Sequence, residues 1–184
     1  MSLNEDNTIN KNLKIALLGS VKTGKSTYLM KIRGHKIDKD LKYNPTIGGA
    51  YTYSEIVFKK NNFHLDFWEL SGHERFYSIN KIFIRKSDII FIFYNSYDIS
   101  SFEIAKRLVK TCKENSKKNT MFVLIRSRYD ECLETNDNKN IVSDEEALEY
   151  ADLNNLYFTH FSNFEKNDIG FDELLEIALK NFIN

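Results

Sequence analysis

The feature that most constrains this chain is a glycine-containing loop that directly follows a short apolar run. Residues Leu13–Leu18 have the length and composition of a buried strand, and the run ends at Gly19. The sequence continues Gly19-Ser20-Val21-Lys22-Thr23-Gly24-Lys25-Ser26, and a helical stretch from Lys25 to about Ile32 follows. Glycines at a strand-to-helix turn let successive backbone N–H groups point at a phosphate, whose charge the helix N-terminus favours. The spacing Gly-x-x-x-x-Gly-Lys-Ser therefore predicts a phosphate-binding loop.

Two side chains of this loop have a predicted role. Lys25 would supply positive charge to the β- and γ-phosphates, and the Ser26 hydroxyl would bind magnesium. The other candidate nucleotide contacts are Gly19, Val21, Lys22, Thr23, Gly24 and Thr27. The alternative is an ordinary glycine turn with an incidental lysine, and it is disfavoured because the strand and the helix are both in place.

Composition excludes several other function classes. The 184 residues fit one domain with its own apolar core, and 26 basic residues balance 26 acidic ones. Because these charges balance, the chain has no broad positive field of the kind that would favour a nucleic-acid partner. Cys112 and Cys132 lie far apart without the spacing of a zinc or redox pair, which fits a reducing, intracellular setting.

The ends of the chain carry no targeting signal that we recognise. Residues 1–12 form a polar N-terminal extension without the apolar core of a signal peptide. The longest apolar run, Ile89–Tyr94, is too short to span a membrane and reads as a core strand. We therefore expect a cytoplasmic protein with no transmembrane segment.

The remaining elements alternate between strands and helices. Two candidate strands, Tyr51–Phe58 and Phe63–Leu70, flank Lys59-Lys60-Asn61-Asn62, whose asparagines tolerate the left-handed conformations of a hairpin turn. Further strands are predicted at Ile89–Tyr94 and Met121–Ile125, and helices near Ser101–Lys113, Ser143–Leu153 and Phe171–Phe182. This alternation predicts a mostly parallel sheet with helices on both faces.

From Lys14 to about Phe182 the order of motifs resembles the Rab branch of the Ras superfamily of small GTPases. Asn44-Pro45-Thr46-Ile47-Gly48 resembles switch I, and Trp68-Glu69-Leu70-Ser71-Gly72-His73-Glu74-Arg75-Phe76 resembles switch II. The resemblance implies an α/β P-loop NTPase fold over residues 13–184. Such a G domain has a six-stranded, mostly parallel sheet with one antiparallel strand.

The resemblance also implies the rest of the site. Thr46 would complete the magnesium shell with Ser26, and Glu69 would hold the ion through water. The Gly72 N–H would meet the γ-phosphate of GTP, so that loss of this phosphate on conversion to GDP frees both switches. Lys25, Thr46 and His73 would be the catalytic residues.

Three departures from the family pattern affect catalysis. Glu69 replaces an aspartate, which predicts reduced magnesium affinity. His73 replaces the glutamine that orients the attacking water, and it could be a working catalyst, a poor one, or an exposed loop residue. Val21 places a branched side chain where bulk obstructs the water. Together Val21 and His73 predict slow hydrolysis.

A fourth departure lies in the base-reading motif Asn-Lys-x-Asp, which appears here as Ser127-Arg128-Tyr129-Asp130. Asp130 can accept hydrogen bonds from guanine N1–H and N2–H₂, and Arg128 can pack over the base. Ser127 lacks the amide that ties the loops together in the family. The last base loop aligns with Ser162-Asn163-Phe164, where Phe164 could stack beside the base or pack in the core.

Three functions remain open from the sequence. The first is a GTP-dependent switch in trafficking or signalling, and the second is a nucleotide-binding scaffold with little hydrolysis. A nucleotide kinase ranks low because no arginine-rich lid follows. Effectors, exchange factors and activating proteins would bind residues 43–51 and 68–78, with Tyr43, Tyr51 and Tyr53 as candidate contacts or as structural residues. We expect a monomer, peripheral on an endomembrane only if a lipidated tail follows this chain.

Overall fold

The computed structural model describes residues 10–35, 37, 46–72, 77–127, 142–162 and 171–183. Within these ranges the chain forms six strands and five helices in alternation. The strands are β1 (Asn10–Gly19), β2 (Gly49–Phe58), β3 (Asn61–Leu70), β4 (Ile89–Asn95), β5 (Met121–Ser127) and β6 (Tyr157–Phe161). The helices are α1 (Lys25–Ile32), α2 (Tyr77–Lys86), α3 (Ile99–Asn115), α4 (Asp144–Leu153) and α5 (Phe171–Lys180).

The strands form one sheet in the order β2-β3-β1-β4-β5-β6. Strand β2 runs antiparallel to β3, and every other neighbouring pair is parallel. The predicted α/β fold with one antiparallel strand is therefore confirmed. Because the parallel strands point the same way, the phosphate-loop end of β1 lies at the same sheet edge as the ends of β3, β4, β5 and β6.

Alternate residues of β1 feed two separate cores. Ile15 and Leu17 pack on one face with residues of α1 and α5, and Ala16 and Leu18 pack on the other with residues of α2, α3 and α4. All four are at most 2% exposed. A strand buried on both faces needs the continuous apolar run that the sequence shows.

One detail of the predicted hairpin is wrong. The register pairs Phe58 with Asn61, which leaves Lys59 and Lys60 as the turn. These two lysines have φ values of 47° and 65°, whereas the asparagines begin β3. Positive φ at both central positions is the geometry of a two-residue hairpin turn of type I′, and the register places the lysines there.

Helix α4 begins as its sequence predicts. The Glu146 N–H donates to the Ser143 Oγ at 3.1 Å, which satisfies one of the free donors of the first turn. The strands and α3 extend by one to three residues beyond their predicted ends at several places. Strand β1, for instance, begins at Asn10 rather than Leu13, and β5 continues to Ser127.

Candidate nucleotide and magnesium site

The phosphate loop turns sharply between β1 and α1. Gly19 has a φ of 147°, and a Cβ there would lie 2.4 Å from the Phe93 carbonyl oxygen. Lys22 and Gly24 also have positive φ values, 60° and 83°. Thr23 is buried, and its Oγ1 donates to the Ser20 carbonyl at 2.9 Å, which closes the loop on itself. Val21 is 38% exposed.

Lys25 lies under this loop at the start of α1. Its Nζ donates to the carbonyl oxygens of Gly19 at 3.0 Å and Ser20 at 2.6 Å, and to the Thr23 Oγ1 at 3.3 Å. Burial lowers the pKa of Lys25 to about 8, although the nearby Glu69 carboxylate acts in the opposite direction. A buried cation with these contacts is positioned to compensate negative charge brought to the loop.

Three oxygen-bearing side chains converge beside Lys25. The Ser26 Oγ donates to Glu69 Oε1 at 2.6 Å, the Thr46 Oγ1 donates to the same oxygen at 3.0 Å, and the two hydroxyls are 3.2 Å apart. They come from α1, from the residues before β2 and from the end of β3. Hydroxyl and carboxylate oxygens are the donor set that magnesium prefers, so these residues fit that ion.

The Glu69 side chain, one methylene longer than the aspartate of the family, directly contacts a proposed magnesium ligand. Its carboxylate, on a residue that is 3% exposed, reaches the Ser26 hydroxyl directly. Ala50, which pairs with Glu69 across the β2–β3 ladder, is a small residue beside it. The longer acid is thus accommodated in contact with both hydroxyls.

Gly72 packs against the phosphate loop. A Cβ at this position would lie 2.7 Å from the Gly19 carbonyl oxygen and 2.8 Å from the Val21 nitrogen. The preceding residue, Ser71, donates through its Oγ to the Thr46 carbonyl at 3.2 Å. The phosphate loop and the segments that carry Thr46 and Gly72 are therefore held together at one sheet edge.

The ends of β5 and β6 lie further along this edge. Ser127 is fully buried, and its Oγ donates to the Tyr94 carbonyl at 2.8 Å. It pairs with Phe161, the last residue of β6, so Ser162 directly follows the end of the neighbouring strand. The Ser162 carbonyl accepts a hydrogen bond from Lys31 Nζ at 3.1 Å. Five predicted site residues lie outside the described ranges: His73, Arg128, Asp130, Asn163 and Phe164.

A profile of the Ras family matches residues 14–183, which is nearly the whole chain. The chain belongs to the Ras family. It is a Rab-like member, as its similarity to several Rab5 proteins shows.

Three of these relatives illustrate how far the similarity extends. The Ras-related protein Rab5A of Oryza sativa subsp. japonica is 28% identical over 163 residues, which cover 88% of this chain and 76% of the relative. The Ras-related protein Rab5 of Nicotiana tabacum is 28% identical over 170 residues, or 92% and 80% of the two chains. The putative ras-related protein Rab-5B of Dictyostelium discoideum is 24% identical over 183 residues, or 98% and 82%.

Two structural features of this Ras-family protein were not found from its sequence. An aromatic surface forms where Tyr51 packs on Trp68, with ring centroids 4.6 Å apart, and Trp68 packs on Phe83 at 5.0 Å. A charged cluster joins Arg126, Asp144 and His160 near the end of β5. These three residues are remote in sequence, and no local pattern indicates their contact.

Tyr51 and Tyr53 both face outward on β2, 44% and 60% exposed. The Tyr51 hydroxyl donates to Asp66 Oδ1 at 2.6 Å, and this hydrogen bond raises the pKa of Tyr51. The Tyr53 ring stacks on His64, with centroids 5.5 Å apart. Tyr43 lies outside the described residues.

Among the residues that the structure describes, no helix is long and apolar enough to cross a membrane.

Proposed function

We propose that this Ras-family protein is a molecular switch that binds Mg-GTP and Mg-GDP and hydrolyses GTP slowly. The observation that carries the proposal is the convergence of the Ser26 and Thr46 hydroxyls on the Glu69 carboxylate. The buried Lys25 lies next to them, under the phosphate loop. These residues are far apart in sequence, and a loop with a purely structural role would not require their side chains to converge.

The protein side chains would divide the work as follows. Lys25 would pair with the β- and γ-phosphates, and Ser26 and Thr46 would hold magnesium with Glu69 behind them. The bound ion would neutralise charge that develops on the phosphate oxygens. Gly72 would offer its N–H to the γ-phosphate, beside the loop against which it packs. Loss of that phosphate would release the segments of Thr46 and Gly72, which is the switch.

Slow hydrolysis is supported by two residues near the expected path of the water. Val21 places an exposed branched side chain on the phosphate loop, 38% accessible. His73 stands where the family has a glutamine, and its role is a proposal from sequence alone. Phosphoryl transfer depends almost wholly on placement and electrostatics, so an obstructed or poorly oriented water slows it. The alternative of a nucleotide-binding scaffold, which Val21, Ser127 and His73 suggest, is not favoured by the similarity to Rab proteins.

Base selection would fall to the ends of β5 and β6. Asp130 would accept from guanine, Arg128 would pack over it, and Ser127 and Ser162 would hold the strand ends from which these residues follow. Asn163 and Phe164 complete the proposed set. Residues 13–184 would form the G domain after a polar extension at 1–12.

Effectors, exchange factors and activating proteins would dock on residues 43–51 and 68–78. Tyr51 and Trp68 of this region, with Phe83 packed beside them, form an aromatic surface, which suits protein contacts. Because its relatives are Rab5 proteins, we place the switch in vesicle transport. It would act as a cytoplasmic monomer, peripheral on an endomembrane if a lipidated tail attaches it.

The first test is to identify the nucleotide that the protein carries. Protein purified in millimolar magnesium is denatured, and the released nucleotide is separated by ion-exchange chromatography. We expect close to one guanine nucleotide per protein, and its absence from Lys25→Met. Lys110→Met, which changes an exposed lysine of α3, is the matched control.

The outcome separates the candidates. Bound GDP supports the switch with some hydrolysis, and bound GTP supports the scaffold or a hydrolysis-deficient switch. Single-turnover hydrolysis of loaded GTP then decides between these two. A protein that carries no nucleotide and takes up no added GTP contradicts both.

A further inference from the structure

One buried serine holds the two residues that flank residues 128–141. Ser96 follows β4 and is fully buried. Its N–H and its Oγ both donate to the Ser127 carbonyl, at 3.2 and 2.7 Å. On the other side, the Val142 N–H donates to the Ser96 carbonyl at 3.3 Å. The end of β5 and the approach to α4 are therefore fixed to the same point at the end of β4.

Arg126 strengthens this junction from inside the fold. Its side chain is only 4% exposed, and its Nε donates to the Ser96 Oγ at 3.0 Å. The Ser96 hydroxyl thus donates its one proton to the Ser127 carbonyl and accepts a hydrogen bond from Arg126. The guanidinium also donates to Asp144 in the first turn of α4, where the helix dipole favours a negative charge. A buried guanidinium is tolerated only with such partners.

His160 on β6 completes the cluster. Its Nε2 lies 2.8 Å from the same Asp144 oxygen, and its ring packs edge-on against Phe158 with centroids 5.1 Å apart. Burial raises the pKa of Asp144, but the hydrogen bonds from His160 and Arg126, together with their electrostatic attraction, outweigh it, and the net pKa is lowered. Asp144 is therefore a charged carboxylate at neutral pH. The cluster joins β4, β5, α4 and β6.

We name Ser96, Arg126, Asp144 and His160 the stem clamp, and we propose that it positions the guanine-reading end of the site. Arg126 and Asp144 are then positioning residues for base specificity. The inference rests on the proposed function, in which Asp130 reads guanine three residues after Ser127.

The stem clamp is needed because Ser127 cannot make the contacts that the family's residue makes at this position. The family has an asparagine here whose amide ties the base loops together, and the Ser127 hydroxyl donates instead to the Tyr94 carbonyl. Its backbone carbonyl is held by Ser96, which is held by Arg126. The stem clamp would supply through buried charge what the missing amide supplies elsewhere.

A cross-link that serves stability alone would behave differently. It would lower the melting temperature on mutation and leave the relative affinities for different bases unchanged. A positioning role changes the ratio of affinities. The ratio of GDP to IDP affinity is the sharpest measure, because inosine lacks only the 2-amino group that the proposed aspartate would bind.

The test compares wild type with Asp144→Asn, which keeps the side-chain shape and removes the charge. The matched control is Asp152→Asn, at an exposed position near the end of the same helix. Dissociation constants for Mg-GDP, Mg-IDP and Mg-ADP are measured by calorimetry on protein stripped of its nucleotide, and melting temperatures are recorded beside them. Arg126→Met is the second variant, because it replaces the buried guanidinium by an apolar chain of similar length and leaves behind only the Asp144 carboxylate, whose side chain is 43% exposed to water.

We expect the GDP-to-IDP affinity ratio to fall about tenfold in Asp144→Asn and in Arg126→Met, the loss expected when one charge-assisted hydrogen bond is misaligned. The ratio in Asp152→Asn should equal that of wild type. If wild type discriminates and both variants discriminate equally well, the stem clamp is structural only and the inference is overturned. If wild type itself binds GDP and ADP equally, guanine selection fails, and the inference fails with it.

Discussion

At the scale of single residues, the buried Lys25 makes nucleotide binding depend on pH. Its pKa in the protein alone is about 8, and phosphate charge beside the ammonium would raise that pKa in the complex. Below pH 8 the lysine is charged in both states, so affinity is constant. Above pH 8 the protein must take up a proton to bind, so the association constant should fall by up to about tenfold per pH unit.

Calorimetry at pH 8.5 to 9.5, in buffers of different ionisation enthalpy, checks this expectation by measuring proton uptake. Lys25→Arg is the control, because a guanidinium stays charged throughout this range and should remove the pH dependence. Wild-type affinity that stays constant up to pH 9.5 would mean that the lysine is already paired and fully charged before the nucleotide arrives.

Glu69 is the second residue with a testable consequence. Glu69→Gln keeps the length that reaches Ser26 and removes the charge, so magnesium should bind more weakly. We expect the magnesium concentration for half-maximal nucleotide retention to rise about tenfold, a loss typical of a charge-assisted contact. Nucleotide release is followed at magnesium concentrations set by chelation.

The matched control for this prediction is Glu149→Gln, at an exposed position of α4 remote in sequence from the site. It removes the same charge from the protein without touching the proposed ligands. An identical magnesium dependence in Glu69→Gln and Glu149→Gln would place the metal away from Glu69.

At the scale of elements, the end of β3 and the phosphate loop share one contact that leaves no room for a side chain. A Cβ on Gly72 would lie 2.7 to 2.8 Å from backbone atoms of Gly19, Ser20 and Val21, which cannot move aside as a flexible side chain would. Gly72→Ala should therefore displace the loop and weaken nucleotide binding by at least tenfold. Fluorescent-nucleotide titration measures this.

Gly34→Ala, at a position just after α1, is the control. It shows whether a loss of nucleotide affinity comes from displacement of the phosphate loop or from the replacement of any glycine with positive φ or close packing. Its φ is 73°, and a Cβ there meets nothing within 4 Å, so it carries backbone strain of about 1 kcal/mol without a clash. Gly34→Ala should lower the melting temperature and keep nucleotide affinity. Equal affinity in Gly72→Ala and wild type would show that the two segments can separate freely.

The elements that sequence predicts best are those whose signal is local. The phosphate loop is a single run of residues, and α1 spans Lys25–Ile32 as expected. The hairpin turn was misplaced because register, not the left-handed preference of Asn61, decides which residues turn. Helix α2, Tyr77–Lys86, was missed although Ile79, Ile82 and Phe83 recur at the three- and four-residue spacing of a helix.

Contacts between distant elements were beyond the reach of sequence patterns alone. The magnesium ligands could be proposed because a family resemblance names Ser26, Thr46 and Glu69 together. No such resemblance names Arg126 and His160, whose meeting depends on the parallel order of β5 and β6 and on where α4 begins. A lone arginine at the end of an apolar strand gives no indication of its partner.

At the scale of the whole molecule, every strand except β2 ends at the edge where the nucleotide is proposed to bind, so binding should stabilise the entire sheet. A ligand at 100 times its dissociation constant adds about 2.7 kcal/mol to the free energy of unfolding. For a domain of this size that corresponds to a rise of roughly 5–10 °C in melting temperature. In protein stripped of the nucleotide with which it is purified, Mg-GDP should produce this rise and Mg-ADP should not, because adenine lacks the N1–H and N2–H₂ donors that the proposed base reader requires. Differential scanning calorimetry of wild type and Lys25→Met, with each nucleotide, measures the effect, and the variant should show no rise with either. A similar rise with both nucleotides in wild type would mean that the phosphate loop binds without base selection, and the switch would then not be specific for guanine.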